Sequence, residues 1–179
     1  MNRFSISKLT SPIISTFIMF NILSLSGCED TKDTAAQNSN LSGDIIFISS
    51  EGRLSANDGA ISVFKNGEKI QSLLNLGNVV QSVLVHENML FVIISGSGEI
   101  KRFDITQNGL TEPGITISTN GSEPREMVVF NNKLYFTNWA TNDIKALNLN
   151  NYLIEDFITL EGLPEDIITD GEFLYASIP

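Results

Sequence analysis

Residues 124–129 and 133–138 read PREMVV and KLYFTN, and this pair of segments occurs again further along the chain. It returns 40 residues later as PEDIIT at 164–169 and FLYA at 173–176. A third copy begins 44 residues earlier, as VQSVLV at 80–85 and LFVII at 90–94. Internal repeats of roughly 40–45 residues built from short strands are typical of β-propeller blades.

The predicted strands form four units, each interpreted as one blade of a partial β-propeller over residues 44–179. Three strands fall in about 44–76, four in 80–118, four in 124–160 and two in 164–179. Asn66-Gly67 is the strongest kind of short hairpin signal. No segment shows a sustained helical period, so we expect an all-β fold of four-stranded antiparallel blades, about three and a half in number.

The first strand of each repeated unit carries a continuous apolar run, as in Val83-Leu84-Val85 and Met127-Val128-Val129. Continuous runs are typical of strands that are buried on both faces. The pattern therefore predicts that these are the innermost strands of the blades, buried on both faces between neighbouring blades.

The N-terminus has the pattern of an exported protein. Arg3 and Lys8 precede a largely apolar run from residue 12 to 26, which is short of the ~20 residues of a membrane span and typical of a signal peptide. Leu25-Ser26-Gly27-Cys28 resembles the lipobox of bacterial lipoproteins. That resemblance implies that residues 1–27 are a signal peptide and that Cys28 is acylated, with palmitate among the added chains. The alternative is an ordinary signal peptide followed by an incidental thiol.

Residues 28–43 are predicted to be the lipidated cysteine and a flexible tether, because residues 29–42 contain one leucine among polar and acidic residues. The whole chain has a formal net charge of −10. So acidic a protein is not expected to bind nucleic acid, whose affinity for proteins depends on neutralising phosphates. We expect the protein to associate with a membrane of the cell envelope through this lipid anchor. The sequence leaves open the outer membrane, the periplasmic side and the cell surface.

The segment Leu134-Tyr135-Phe136-Thr137-Asn138 resembles the YVTN repeat of YncE-type β-propellers, and Leu174-Tyr175-Ala176-Ser177 matches it in part. The resemblance covers roughly residues 44–179. It implies a surface or periplasmic binding protein, in a group where some members capture ligands such as corrinoids for outer-membrane transporters. Such propellers usually close with about seven blades. We therefore expect this chain to be a truncated or split product of a longer propeller; the alternative is closure by a second copy.

Catalytic residues are not evident. His86 is the only histidine and Cys28 the only cysteine, so neither a Cys–His pair nor a multi-histidine metal site is predicted in the domain. A Ser–His–Asp arrangement is formally open, but no Gly-x-Ser-x-Gly motif marks its nucleophile. We expect no catalytic residues, no metal site and no cofactor.

Ligand-face candidates come from the loops between second and third strands. The loop at 49–59 is longer than its equivalents, and inserted loops on rigid scaffolds often carry function. The loop at 138–143 contains Trp139, the only tryptophan, which suits stacking on a sugar ring or a flat cofactor; packing against the next blade is the alternative. The candidates are Glu51, Arg53, Asn57, Asp58, Trp139, Asn142 and Asp143.

Two functions remain open. The first is a non-catalytic lipoprotein whose propeller face binds a small molecule or a protein at the envelope, including capture of a transporter ligand such as a corrinoid. The second is a divalent-cation-dependent hydrolase or lactonase that uses oxygen ligands from the loops. The absence of a recognised ligand spacing favours the first.

Overall fold

The computed structural model describes residues 43–179, and the predicted signal peptide, Cys28 and nearly all of the tether lie outside that range. No helix within residues 43–179 has the length and apolarity needed to cross a membrane. The strands are β1 (Ile45–Ser50), β2 (Ala60–Lys65), β3 (Glu68–Leu73), β4 (Val80–His86), β5 (Met89–Ile94), β6 (Glu99–Thr106), β7 (Gly109–Leu110), β8 (Ile115–Ser118), β9 (Pro124–Phe130), β10 (Lys133–Asn138), β11 (Asp143–Asn148), β12 (Ile154–Thr159), β13 (Ile167–Thr169) and β14 (Leu174–Ala176).

These strands form four antiparallel sheets, which we call blades 1 to 4. Blade 1 is β1-β2-β3 and blade 3 is β12-β11-β10-β9. Blade 2 has β4, β5 and β6 in order, with β7 and β8 each paired to a different part of β6. Blade 4 is β13-β14. The strands β4, β9 and β13 contact one another in chain order and form the inner edge of the blades. The predicted all-β fold with incomplete propeller blades is confirmed.

The Asn66-Gly67 turn between β2 and β3 is also confirmed. Asn66 and Gly67 have φ angles of 51° and 84°, the left-handed values that a two-residue hairpin requires at both central positions. Strand ends were predicted less well. The third strand was expected to continue to Leu76 but ends at Leu73, and the short strand β7 was not predicted.

Apolar side chains from facing blades bury one another at each blade boundary. Between blades 1 and 2 the cluster includes Ile61, Leu90 and Phe103. Between blades 2 and 3 it includes Phe91 and Phe136, all fully or nearly fully buried. The boundary between blades 3 and 4 is smaller. It is centred on buried side chains of blade 3 and one of β13, namely Tyr135, Ile144, Ala146 and Ile167.

The first strand of each unit is innermost as predicted, but the prediction that it is buried on both faces was wrong. Five of the six residues of both β5 and β10 are buried, whereas most residues of β4 and β9 are only half-buried. The reason is position in the sheet. A second strand has a hydrogen-bonded strand on each side and a neighbouring blade on each face, but an inner strand has one edge open toward the axis.

Candidate functional site

The loops that connect strands at one end of the blades form a continuous surface. Hydrogen bonds join the 51–59 loop to residues 77–80, residues 78–79 to the loop at 95–97, and Gly98 to Thr119. Further along, Trp139 N–H donates to the Glu123 carbonyl, and Leu160 N–H donates to the Asn142 carbonyl. The loops that were expected to carry a ligand therefore lie together at the same end.

Within the 51–59 loop, the predicted residues mainly bind one another. Arg53 donates to Asp58 twice, from its backbone N–H at 2.6 Å and from its guanidinium Nε at 2.8 Å. These two donors hold the pKa of the Asp58 carboxyl below its usual value. Glu51 and Asn57 are exposed. The loop is thus closed by its own ion pair, which leaves fewer of its charges free for a ligand.

In the 138–143 loop, Asp143 is held inside blade 3. Its carboxylate accepts hydrogen bonds from Asn138 Nδ2 and Thr141 Oγ1, both at 2.8 Å, and lies 3.1 Å from Lys145 Nζ. Asn142 is exposed, with a left-handed φ of 49°. Asp143 therefore has a structural role in this loop, and Asn142 stands at its surface.

Trp139 is half-buried, and one face of its indole ring is already covered. The guanidinium carbon of Arg125 lies 3.9 Å from the ring centroid, a cation–π contact within blade 3. A stacking ligand would meet only the other face.

Blade 2 separates this loop from the 51–59 loop, so the two predicted groups of residues do not form one site.

Arg125 also joins three blades through its terminal nitrogens. One donates to Gln81 Oε1 on β4 at 2.9 Å, and the other donates to Glu165 Oε1, just before β13, at 3.0 Å. Gln81, Arg125 and Glu165 occupy the same position in three successive repeats, 44 and 40 residues apart. We call these three residues the inner polar row. The row crosses the boundary between β4 and β9 and the boundary between β9 and β13. It lies at the loop end of the blades, which is the end that carries the connecting loops described above.

A second row lies beside the first. Ser82 Oγ donates to Glu126 Oε2 at 2.7 Å, and Asp166 takes the equivalent position on blade 4. Partial burial raises the pKa of Glu126, and the nearby negative charges of Asp166 and Glu165 add to that effect. The two rows together place one cation and three carboxylates around the start of the inner strands.

Three buried side-chain groups at this end of the blades have no hydrogen-bond partner among residues 43–179. They are the Nε–H of Arg125, the Nε1–H of Trp139 and the Oγ1 hydroxyl of Thr119. Buried polar groups are nearly always hydrogen-bonded in native proteins. Arg125 and Trp139 therefore each have a donor that is free to bind a ligand.

The raised pKa of Glu126 gives a testable pH dependence. A carboxyl whose pKa is raised on folding destabilises the folded protein at pH values where both states are ionised, and this cost disappears as the pH falls through the folded pKa toward the ordinary glutamate pKa of 4.5. Glu126→Gln is therefore expected to raise the free energy of unfolding at pH 7, with a gain that shrinks as the pH is lowered toward 4.5. Denaturant unfolding across this pH range measures it.

The exposed carboxylate of Glu161 provides the matched control. Glu161→Gln is expected to leave the free energy of unfolding nearly unchanged at every pH. A loss of stability in Glu126→Gln at pH 7 would show instead that the charged hydrogen bond from Ser82 outweighs the burial of the carboxylate.

The sequence prediction did not include the inner polar row. Its signal was present in the repeat alignment, since Gln81, Arg125 and Glu165 are polar residues at the second position of the three repeated segments. None of the three was among the residues predicted for the ligand face. Only the alignment of all three repeats, taken with the ring geometry of a propeller, would have placed them side by side.

Among residues 43–179 no three His, Cys, Asp or Glu side chains are grouped as metal ligands would be. His86 ends β4, at the end of that strand opposite to Gln81. It therefore does not face the inner polar row.

Comparison with known proteins supports the fold. No protein-family model matches the chain, and no curated protein matches it. A candidate 6-phosphogluconolactonase from Bacteroides uniformis superposes with a TM-score of 0.60 at 13% identity, over 75% of this chain and 47% of that one. A functionally unknown protein from Desulfotomaculum acetoxidans gives 0.60 at 17% identity, over 74% and 45%. The WD40 β-propeller domain of Doa1 gives 0.54 at 14% identity, over 73% and 47%.

At these identities the likeness shows the fold alone, which is that of β-propeller proteins. The chain spans about half the length of the solved structures it matches. The activities named for those proteins are therefore not transferred to this chain.

Proposed function

We propose that this protein is a non-catalytic binding module that holds a small polar ligand at the loop end of its inner strands. The observation that carries the proposal is the inner polar row. Three equivalent repeat positions hold Gln81, Arg125 and Glu165, joined side chain to side chain across two blade boundaries. Blade packing alone is satisfied by apolar residues, and polar groups that converge at one end of a rigid scaffold are typical of a binding site.

The chemistry of the two rows favours a ligand rich in hydroxyl groups. The rows offer donors from Arg125 and Gln81 and acceptors from Glu126, Glu165 and Asp166. A hydroxyl group both donates and accepts a hydrogen bond, so it can use neighbouring groups of both kinds. The half-buried indole of Trp139 adds an aromatic edge beside Arg125, as in many sites that hold flat or ring-shaped ligands.

The test is a titration read by the fluorescence of Trp139, which is the only tryptophan and lies in the site. Glucose, galactose, gluconate and cyanocobalamin would be titrated into the purified protein. We expect a saturable change for at least one of them. In Arg125→Gln the affinity is expected to fall about tenfold or more, because a hydrogen bond to a charged group contributes about 1.5–3 kcal/mol.

Arg53→Gln is the matched control, since it removes the same charge from the 51–59 loop, where Arg53 is 84% exposed. Binding that survives in Arg53→Gln and is lost in Arg125→Gln supports the inner polar row. The reverse result would assign the ligand to the 51–59 loop. A saturable response that requires calcium and ends in product release would instead support a cation-dependent hydrolase.

We further propose that the module belongs to the YVTN-repeat propellers and acts at the cell envelope as a lipoprotein. The support is the resemblance of residues 134–138 to that repeat and of residues 25–28 to a lipobox. The intact mass of the protein released from its own membranes tests the anchor. We expect a chain that begins at Cys28 and carries acyl groups, whereas a mature chain without acyl groups would exclude it.

A further inference from the structure

Two buried N–H groups at the inner polar row have no acceptor among residues 43–179, namely Arg125 Nε–H and Trp139 Nε1–H. They belong to stacked groups, because the guanidinium carbon of Arg125 lies 3.9 Å from the centroid of the indole ring. Both residues are part of blade 3, which has blade 2 on one side and blade 4 on the other. The two free donors are therefore carried by neighbouring groups of one internal blade.

The two groups differ in how firmly they are held. The terminal nitrogens of Arg125 donate to Gln81 and Glu165 on the adjacent blades, which fixes the guanidinium from both sides. Trp139 is fixed through its backbone, whose N–H donates to the Glu123 carbonyl at 3.1 Å. Its indole makes no hydrogen bond within residues 43–179. The indole is thus the part of this stacked pair that can shift to admit a ligand.

The missing partner of these donors is an acceptor. An arginine Nε–H and an indole N–H donate hydrogen bonds and cannot accept them. A carbonyl oxygen has two lone pairs and no proton, so it can accept from both groups. A hydroxyl oxygen can also accept, but it brings a proton that needs its own acceptor at the same buried point. The pair of donors therefore favours a carbonyl group.

The charge of the surroundings distinguishes between kinds of carbonyl group. The single guanidinium of Arg125 is accompanied by three carboxylates, those of Glu126, Glu165 and Asp166. A ligand carboxylate would be repelled by this excess of negative charge, so a neutral carbonyl is favoured. An amide also brings an N–H, and within residues 43–179 no group donates to the second oxygen of Glu165. A neutral amide therefore matches both the free donors and the carboxylates.

We infer that the ligand is an N-acetylated sugar, whose acetamido carbonyl accepts hydrogen bonds from Arg125 and Trp139. The amide N–H donates to a carboxylate of the two rows, and the acetamido methyl group lies against the indole. The inference rests on the proposed function, which supplies the hydroxyl-bearing ring. It adds the substituent that distinguishes this ligand from a plain hexose.

Isothermal titration calorimetry on the purified protein tests the inference with N-acetylglucosamine, glucose, glucosamine and glucuronate. These sugars share one ring and differ in a neutral amide, a hydroxyl, an ammonium or a carboxylate group. We expect N-acetylglucosamine to bind about tenfold or more tightly than glucose, because its carbonyl gains hydrogen bonds from one charged and one neutral donor. Glucuronate should bind more weakly than glucose.

Trp139→Phe keeps an aromatic ring but removes Nε1–H, so it should lower the preference for N-acetylglucosamine over glucose about threefold to tenfold. Tyr152→Phe is the matched control. It also removes one polar atom from an aromatic ring, in the turn between β11 and β12 at the opposite end of the blades, and the preference should not change. Circular dichroism checks that both variants fold; Arg125→Lys, which keeps the charge and lacks Nε–H, replaces Trp139→Phe if that variant does not.

The inference is overturned, and the proposed function stands, if any of the other three sugars binds as tightly as N-acetylglucosamine. The same holds if Trp139→Phe keeps the full preference. Failure of all four sugars also overturns it. In that case a saturable response to galactose, gluconate or cyanocobalamin preserves the proposed function, and the absence of any response ends both.

Discussion

Replacement of Phe136 by alanine is expected to lower the free energy of unfolding by about 3–5 kcal/mol, the usual cost of removing a buried aromatic ring. Phe136 is fully buried in the boundary between blades 2 and 3, where its neighbours include Phe91, Met127 and Leu147. Phe91 and Leu147 belong to strands that are hydrogen-bonded to a neighbouring strand on both sides. They are therefore poorly able to move into the space, and the cavity should largely remain.

A loss of this size is a large part of the total stability of an ordinary domain, about 5–15 kcal/mol. Denaturant unfolding followed by Trp139 emission measures it, since that residue lies in the loop after the strand that carries Phe136. Phe173→Ala is the matched control, because the Phe173 side chain is 56% exposed; a change within about 0.5 kcal/mol is expected there. Equal losses in the two variants would mean that blades 2 and 3 do not pack as described.

The sequence predicted the strands well because they depend on local physics. Alternating or continuous apolar residues, together with turn residues such as Asn66-Gly67, indicate which segments form strands, although not their exact ends. Repetition then supplied the ring architecture, because a unit that recurs at 40 and 44 residues must bury its faces against copies of itself. Phe136 could be recognised as a core residue on those grounds alone.

The candidate site was harder to predict because it depends on partners that are distant in the chain. Asp143 looked like a loop carboxylate available to a ligand, but its oxygens are occupied by Asn138, Thr141 and Lys145. Arg125 was not among the predicted site residues, yet it bridges blades 2 and 4. Whether a charged side chain is free or engaged is decided by the donors and acceptors around it, and these are fixed only when the blades meet.

The same limit applies to residues 134–138. Their resemblance to a known repeat indicated a fold, but not why threonine and asparagine end the strand. In the structure both side chains are fully buried. Thr137 Oγ1 accepts a hydrogen bond from the backbone N–H of Glu126, at 3.1 Å. These polar residues therefore connect the second strand to its surroundings, a role that the apolar pattern cannot reveal.

Asn138→Ala is expected to lower the free energy of unfolding by about 2–3 kcal/mol, because it leaves buried polar partners without a hydrogen bond. Asn138 Oδ1 accepts a hydrogen bond from Ser122 Oγ at 2.6 Å, and Asn138 Nδ2 donates one to Asp143 Oδ1 at 2.8 Å. Ser122 is almost completely buried, so water cannot easily replace the lost partner. Denaturant unfolding at pH 7 measures the change.

Asn88→Ala is the matched control, since Asn88 is exposed in the turn between β4 and β5, and a change within about 0.5 kcal/mol is expected there. A double-mutant cycle with Ser122→Ala identifies the cause. If the orphaned Ser122 hydroxyl carries much of the cost, Ser122→Ala/Asn138→Ala should be less destabilised than the sum of the single variants, because the second change removes that hydroxyl. Strictly additive losses would contradict this. The effect of Asn138 would then come from the loop that Asp143 holds, and the buried pair would not be what fixes the end of β10.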